Sequence, residues 1–147
     1  MNVNAISINT TGYAPTASRS LMIALWVARL AVAGILGMMA FVKFFDYTPE
    51  GSMVLAQALG VGRIGVTLIG LFEITTVALI LIPRTRAVGA LMGVKAMVGA
   101  LAAHALFIGW GGNAVADMWP LALAVLGASS FALFNWRREL PIVGDRS

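Results

Sequence analysis

The 147 residues are 60% hydrophobic and 11% charged, with a mean hydropathy of +0.91, whereas ordinary globular domains carry about 25% charged residues. This excludes a soluble domain and implies a single membrane domain. A net charge of +4 and a pI of about 10.4 would point to nucleic acid in a soluble chain, but Lys and Arg lie mostly at the ends of apolar segments, so no nucleic-acid partner is expected.

Four apolar blocks, about 21–45, 64–82, 87–108 and 118–136, are each long enough to cross a hydrocarbon layer ~30 Å thick. The expected fold is all-α, an integral membrane four-helix bundle. Residues 1–20 read as a polar N-tail and 137–147 as a C-tail. The first block is too long for a cleaved signal segment, and Arg29 interrupts it, so it is expected to be retained. Arg19, Arg84, Arg86, Arg137, Arg138 and Arg146 flank one side, and 109–117 on the other has no Lys or Arg, which predicts both termini cytoplasmic. Lys43 and Arg63 run against that count, Lys43 near enough to a helix end to snorkel.

Tyr47 to Gly62 is too short and too polar to span. Thr48 as N-cap, Pro49 at the first helical position, and then Met53, Val54, Leu55, Ala58 and Leu59 predict a short interfacial helix in this first outer connection. A flexible run of Gly60, Val61 and Gly62 follows it.

Arg29, Glu73 and Lys95 interrupt three of the spans, each about nine residues from a helix start, or ~13 Å deep at ~1.5 Å per residue. Each costs on the order of 2.5–3.5 kcal/mol at the centre of a lone helix, so the three are expected to meet inside the bundle near mid-membrane, Glu73 pairing with Arg29 or Lys95. Arg29 shares a helical face with Leu36, Ala40 and Lys43, and Glu73 shares one with Val66, Val77 and Ile80. Two cations against one carboxylate leave one positive charge over. Either Lys95 is neutral, or a further group balances it: a quinone carbonyl, a semiquinone, a carboxylate or a lipid phosphate. A buried pair that only fixes helix register is the competing reading.

His104, the sole histidine, falls near the outer boundary at the level of Lys43 and Asp46, where the three line the mouth of a cavity with the short helix as its lid. It is ~180° around its helix from Lys95, so the two cannot both face the bundle axis. It shares a face with Gly89, Gly93 and Ala100, a GxxxG ridge suited to an intrachain contact or a dimer. As a hydrogen-bonded interfacial side chain it is structural; proton transfer is the other role open to it.

Without cysteine the chain has no dithiol chemistry. One histidine cannot give bis-histidine haem ligation, and the carboxylates are too scattered for a di-iron motif, so no haem, iron–sulfur cluster or metal is expected. Ser129 and Ser130 are expected to bond to backbone carbonyls one turn back. Trp110, Trp119 and Trp136 flank the spans as an interfacial belt, with Trp26 inside the first.

Ala28, Arg29, Leu30 through Gly34, then Gly37, Phe41 and Lys43, resemble the first helix of the DoxX family. Gly70, Leu71, Phe72, Glu73, then Leu79, Leu81, Ile82, Pro83 and Arg84, are similar to its second helix, and Lys95 to His104 to its third. The resemblance spans about 21–136 and implies a multi-pass protein of the prokaryotic cytoplasmic membrane. Some relatives are subunits of quinone-reducing sulfur oxidoreductases, and others belong to complexes that deal with oxidative stress. It carries Arg29, Lys43, Glu73 and His104 as matching polar positions; Lys95 is less typical.

Two functions follow. In one, the protein is the membrane subunit of a redox system, not an autonomous enzyme, and holds a quinone-like or amphiphilic ligand through Arg29, Glu73, Lys95, Lys43 and His104. In the other, it is a non-catalytic anchor of a larger complex. Its expected partners are the bilayer, other membrane or peripheral subunits, or further copies of itself.

Overall fold

The computed structural model describes residues 18–48 and 51–140. The chain is all-helical there, with no strand among the described residues. Helix α1 is Arg19–Phe45, α2 is Ser52–Leu59, α3 is Gly62–Leu81, α4 is Arg86–Ala103 and α5 is Trp119–Trp136. A π-helical turn, His104–Ile108, extends α4, and 3₁₀ turns Ala116–Met118 and Arg137–Glu139 flank α5. Four segments are long and apolar enough to cross a membrane: Arg19–Phe45, Gly62–Leu81, Arg86–Ile108 and Ala116–Glu139.

Local chemistry sets the boundaries. Ser18 caps α1 by accepting from the Leu21 amide at 3.3 Å. At the other end of α1, the Asp46 carbonyl accepts from both the amide (3.0 Å) and the hydroxyl (2.8 Å) of Ser52. That double tie fixes where α2 begins. Thr48 is therefore not the N-cap of α2: its hydroxyl donates to Asp46 Oδ1 and accepts from the Gly51 amide, which builds a turn, and the cap position falls to Gly51. Pro49 lies outside the described residues. Gly51 must be small, because an added Cβ would come within 2.6 Å of the Asp46 carboxylate. Gly60 ends α2 at φ +65°, a left-handed conformation that glycine adopts without strain.

The four long helices form a ring in which α1 neighbours α3 and α5, and α4 neighbours the same two. Val32, Leu36, Ile80, Ala90, Met97 and Val125 are buried at its centre. Large apolar side chains face outward instead, among them Ile64 (78% exposed), Leu106 (72%) and Phe134 (65%), as lipid contact permits but water would not. Small residues set the helix spacing. At Gly89 an added Cβ would collide with the Ile80 backbone, and at Gly93 it would lie 2.6 Å from Ser129 Oγ. The GxxxG ridge is thus an intrachain contact of α4 with α3 and α5. Ser129 does not bond one turn back as Thr67, Thr75 and Thr76 do; its buried hydroxyl has no partner among the described residues and serves as a small surface beside Gly93.

The stagger of α1 against α3 places the charged residues. An added Cβ on Gly70 would lie 3.1 Å from Phe44 and 3.4 Å from Lys43 Cβ, so the C-terminal turn of α1 abuts the middle of α3. About two turns of α3 extend beyond it, ~12 Å, and α2 packs against α3. We call this the capped end, and the opposite end, where α1 starts and α5 stops, the tail end.

Candidate functional site

Glu73 lies one turn along α3 from Gly70, within reach of Lys43. Lys43 Nζ donates to Glu73 Oε1 and Oε2, both at 2.9 Å, and to the Met39 carbonyl at 3.3 Å. All three ammonium donors are engaged. The side chains are 11% and 6% exposed, so this is a buried pair. Glu73 pairs neither with Arg29 nor with Lys95. Depth counted from helix starts assumed level ends, whereas the ends of α1 and α3 are offset by about two turns, which carries Lys43 from the mouth into the bundle.

The same offset moves Arg29. With Lys43 and Phe44 opposite Gly70, Arg29 comes opposite the α3–α4 turn, roughly 17 Å along the bundle from Glu73. It is buried, its Nε has no hydrogen-bond partner among the described residues, and its guanidinium stacks 4.7 Å from the Trp26 ring centroid. Nearby at the tail end, Arg86 pairs with Glu139 and covers Trp136 at 4.9 Å. Arg29, Glu73 and Lys95 do not converge, and Arg29 is not a wall of the cavity described next.

A cavity of about 600 Å³ lies toward the capped end, lined by all five helices and by 114–118. Lys43, Glu73, Lys95, His104 and Asp46 reach it, and Ser52, Leu55 and Leu59 of α2 cover it. The rest of the lining is almost wholly apolar, including Met39, Leu68, Phe72, Met97 and Met118. Its size lies within the ~300–1,000 Å³ of small-molecule sites.

His104 is buried on the face of α4 that carries Gly89 and Gly93. Nδ1 lies 2.8 Å from the Ala100 carbonyl and Nε2 3.1 Å from the Val115 carbonyl. A neutral imidazole has one N–H and satisfies one of these acceptors; an imidazolium satisfies both. His104 thereby ties the α4–α5 connection to α4. Asn113 holds the same connection by accepting from the amides of Val115 and Ala116. Trp110 packs between His104 and Trp119, at centroid distances of 6.0 and 5.9 Å.

Lys95 lies on the opposite side of α4 and is exposed. By the Gly89–Ile80 contact it is level with Glu73, yet it makes no ion pair among the described residues. An unpaired lysine at that depth on a lone helix costs on the order of 2.5–3.5 kcal/mol. No sequence signal marked Gly51 or the Val115 carbonyl as parts of this site, and Gly70 was noted only within the run that resembles a family's second helix, since each acts by contact with a segment distant in the chain.

The polar chemistry is therefore asymmetric. Lys43 and His104 are engaged within the protein, Ser52 donates to Asp46, and among the described residues Glu73 accepts only from Lys43. Glu73 retains capacity to accept a hydrogen bond from a ligand, and Lys95 retains all of its donors. Comparison of the chain with protein families, curated proteins and solved structures finds no match.

Proposed function

We propose that the protein is the membrane subunit of a redox system of the DoxX kind and that it holds a quinone-like amphiphile in the capped-end cavity. The observation that carries this reading is the buried Lys43–Glu73 pair set in the wall of an apolar cavity of about 600 Å³. The residues fit such a ligand: an apolar wall for ring and tail, a carboxylate to accept from a hydroxyl, and a free ammonium to donate to a carbonyl. Bound quinone would supply the electron-carrying chemistry that this chain, without cysteine, lacks. Glu73 would take or return a proton at the ligand oxygen, with Lys43 holding its carboxylate in place. Electrons would come from a partner subunit.

A short-tailed quinone should raise the melting temperature of the purified protein with concentration, since a ligand binding only the folded state stabilises it by about 2.7 kcal/mol at a hundred times its Kd. Glu73→Gln should weaken the shift and Arg29→Gln should retain it. No shift with several quinones, in folded and delipidated protein, overturns the reading. That result leaves the second one, a non-catalytic anchor, favoured by the complete engagement of Lys43 inside the protein.

For the location, we propose a prokaryotic cytoplasmic membrane with the tail end in the cytoplasm, on the distribution of Lys and Arg. In the cysteine-free chain, Ser18→Cys should resist an impermeant thiol reagent in intact cells and Gln57→Cys should react. The reverse pattern inverts the orientation.

A further inference from the structure

Helices α3 and α4 touch at the tail end, where Gly89 meets the Ile80 backbone, and α2 bridges α3 and the π-helical turn at the capped end. Between these closures the two helices present residues that line the cavity and are exposed. On α3 these are Leu68, 59% exposed, and Phe72, 40% exposed; on α4 they are Lys95 and Gly99. Each pair is one turn apart, so each forms a continuous lip along its helix. The opening lies within the apolar length of both spans.

From this arrangement we infer that the cavity is entered sideways from the hydrocarbon layer, through the slot between α3 and α4, by an amphiphile whose anionic head is neutralised by Lys95. The inference rests on reading the cavity as a ligand site and goes beyond the quinone reading by adding the route and a second ligand class, an anionic amphiphile. Lys95 is the cavity's one cationic side chain without a partner among the described residues, because the other ammonium is held by Glu73. An apolar tail can stay against Leu68 and Phe72 while the head reaches the ammonium, so the ligand need never cross water. Gly99 leaves the lip low: an added Cβ there meets nothing within 4 Å.

The test uses the full chain in nanodiscs of neutral phosphatidylcholine, with oleate and oleyl alcohol as probes of matched tail, read by melting temperature against probe concentration. Oleate should bind at least about tenfold more tightly than the alcohol, and Lys95→Met should reduce that ratio below about twofold while the protein melts like the parent. Gly99→Trp should fold like the parent and lose the response to both probes, while Gly99→Ala keeps it. Adding phosphatidylglycerol identifies the source: competition with oleate assigns the head to a phospholipid phosphate, and no competition assigns it to a single-chain carboxylate. Equal binding of the two probes, a preference that survives Lys95→Met, or a full response in Gly99→Trp overturns the inference. If a quinone stabilises the parent while oleate shows no preference, only this inference falls; if neither quinone nor either probe binds, the cavity reading falls with it.

Discussion

Lys43 and Arg29 lie fourteen residues apart on one stripe of α1, and their surroundings are opposite. Lys43 has every donor engaged and a carboxylate at 2.9 Å, in the wall of a cavity. Arg29 is equally covered, yet its Nε has no partner among the described residues, and its neighbours are an indole and a second arginine-bearing cluster. The difference teaches that burial alone does not mark a site in this bundle. What matters is which part of α3 the stagger places opposite each cation.

The sharpest way to break the comparison is to remove the carboxylate. Glu73→Ala leaves Lys43 buried and uncompensated and should cost roughly 3–5 kcal/mol, read as a lowered melting temperature in one detergent. The double change Lys43→Met with Glu73→Leu should recover most of it, since replacing both members by apolar side chains is often neutral. Glu73→Ala melting like the parent would remove the distinction between the two cations.

A smaller effect tests the register that creates the contrast. Gly89→Ala drives a methyl into the Ile80 backbone and should cost about 1–3 kcal/mol. On the same helix, Gly99→Ala meets nothing and should gain about 0.4–1 kcal/mol. Equal effects at the two positions would show that α4 does not pack on α3 through its small-residue ridge.

A smaller loss than that of Glu73→Ala is expected at Arg29. Arg29→Met should cost about 2 kcal/mol, the scale of a desolvated cation–π contact, and should leave ligand response intact. A loss as large as that of Glu73→Ala would reveal an anionic partner for Arg29.

These contrasts also explain what the sequence could and could not disclose. Apolar length alone located the four spans to within about two residues at most ends, because the bilayer imposes that length on any crossing helix. Helical periodicity correctly put Arg29, Leu36 and Ala40 on one buried face; it set His104 and Lys95 half a turn apart on α4, one buried and one exposed, yet both line the cavity. The short helix of the first connection was legible from its apolar spacing, though its start was not. That start depends on Ser52 meeting the Asp46 carbonyl, a tertiary tie that Thr48 and Pro49 do not announce. The partner of Glu73 was illegible for the same reason. It depends on the offset of α1 against α3, which the Gly70 contact and the α2 tether set together. The unpaired hydroxyl of Ser129 is decided by Gly93 across an interface, not by its own helix.

The same offset has a mechanical consequence. Helix α1 has 27 residues and α3 has 20, or ~40 Å against ~30 Å; added to the two-turn offset at the capped end, this leaves an overhang of ~20 Å at the start of α1, where Met22, Ile23, Trp26 and Val27 face outward. A bilayer matched to α3 must take up that overhang by tilting α1 or by thickening locally around it, at fractions of a kcal/mol per Å. Because α1 carries Lys43 at its far end, leaning it shifts the ammonium relative to Glu73. Lipid chain length thus becomes a lever on the geometry of the pair, and with it on the shape of the cavity.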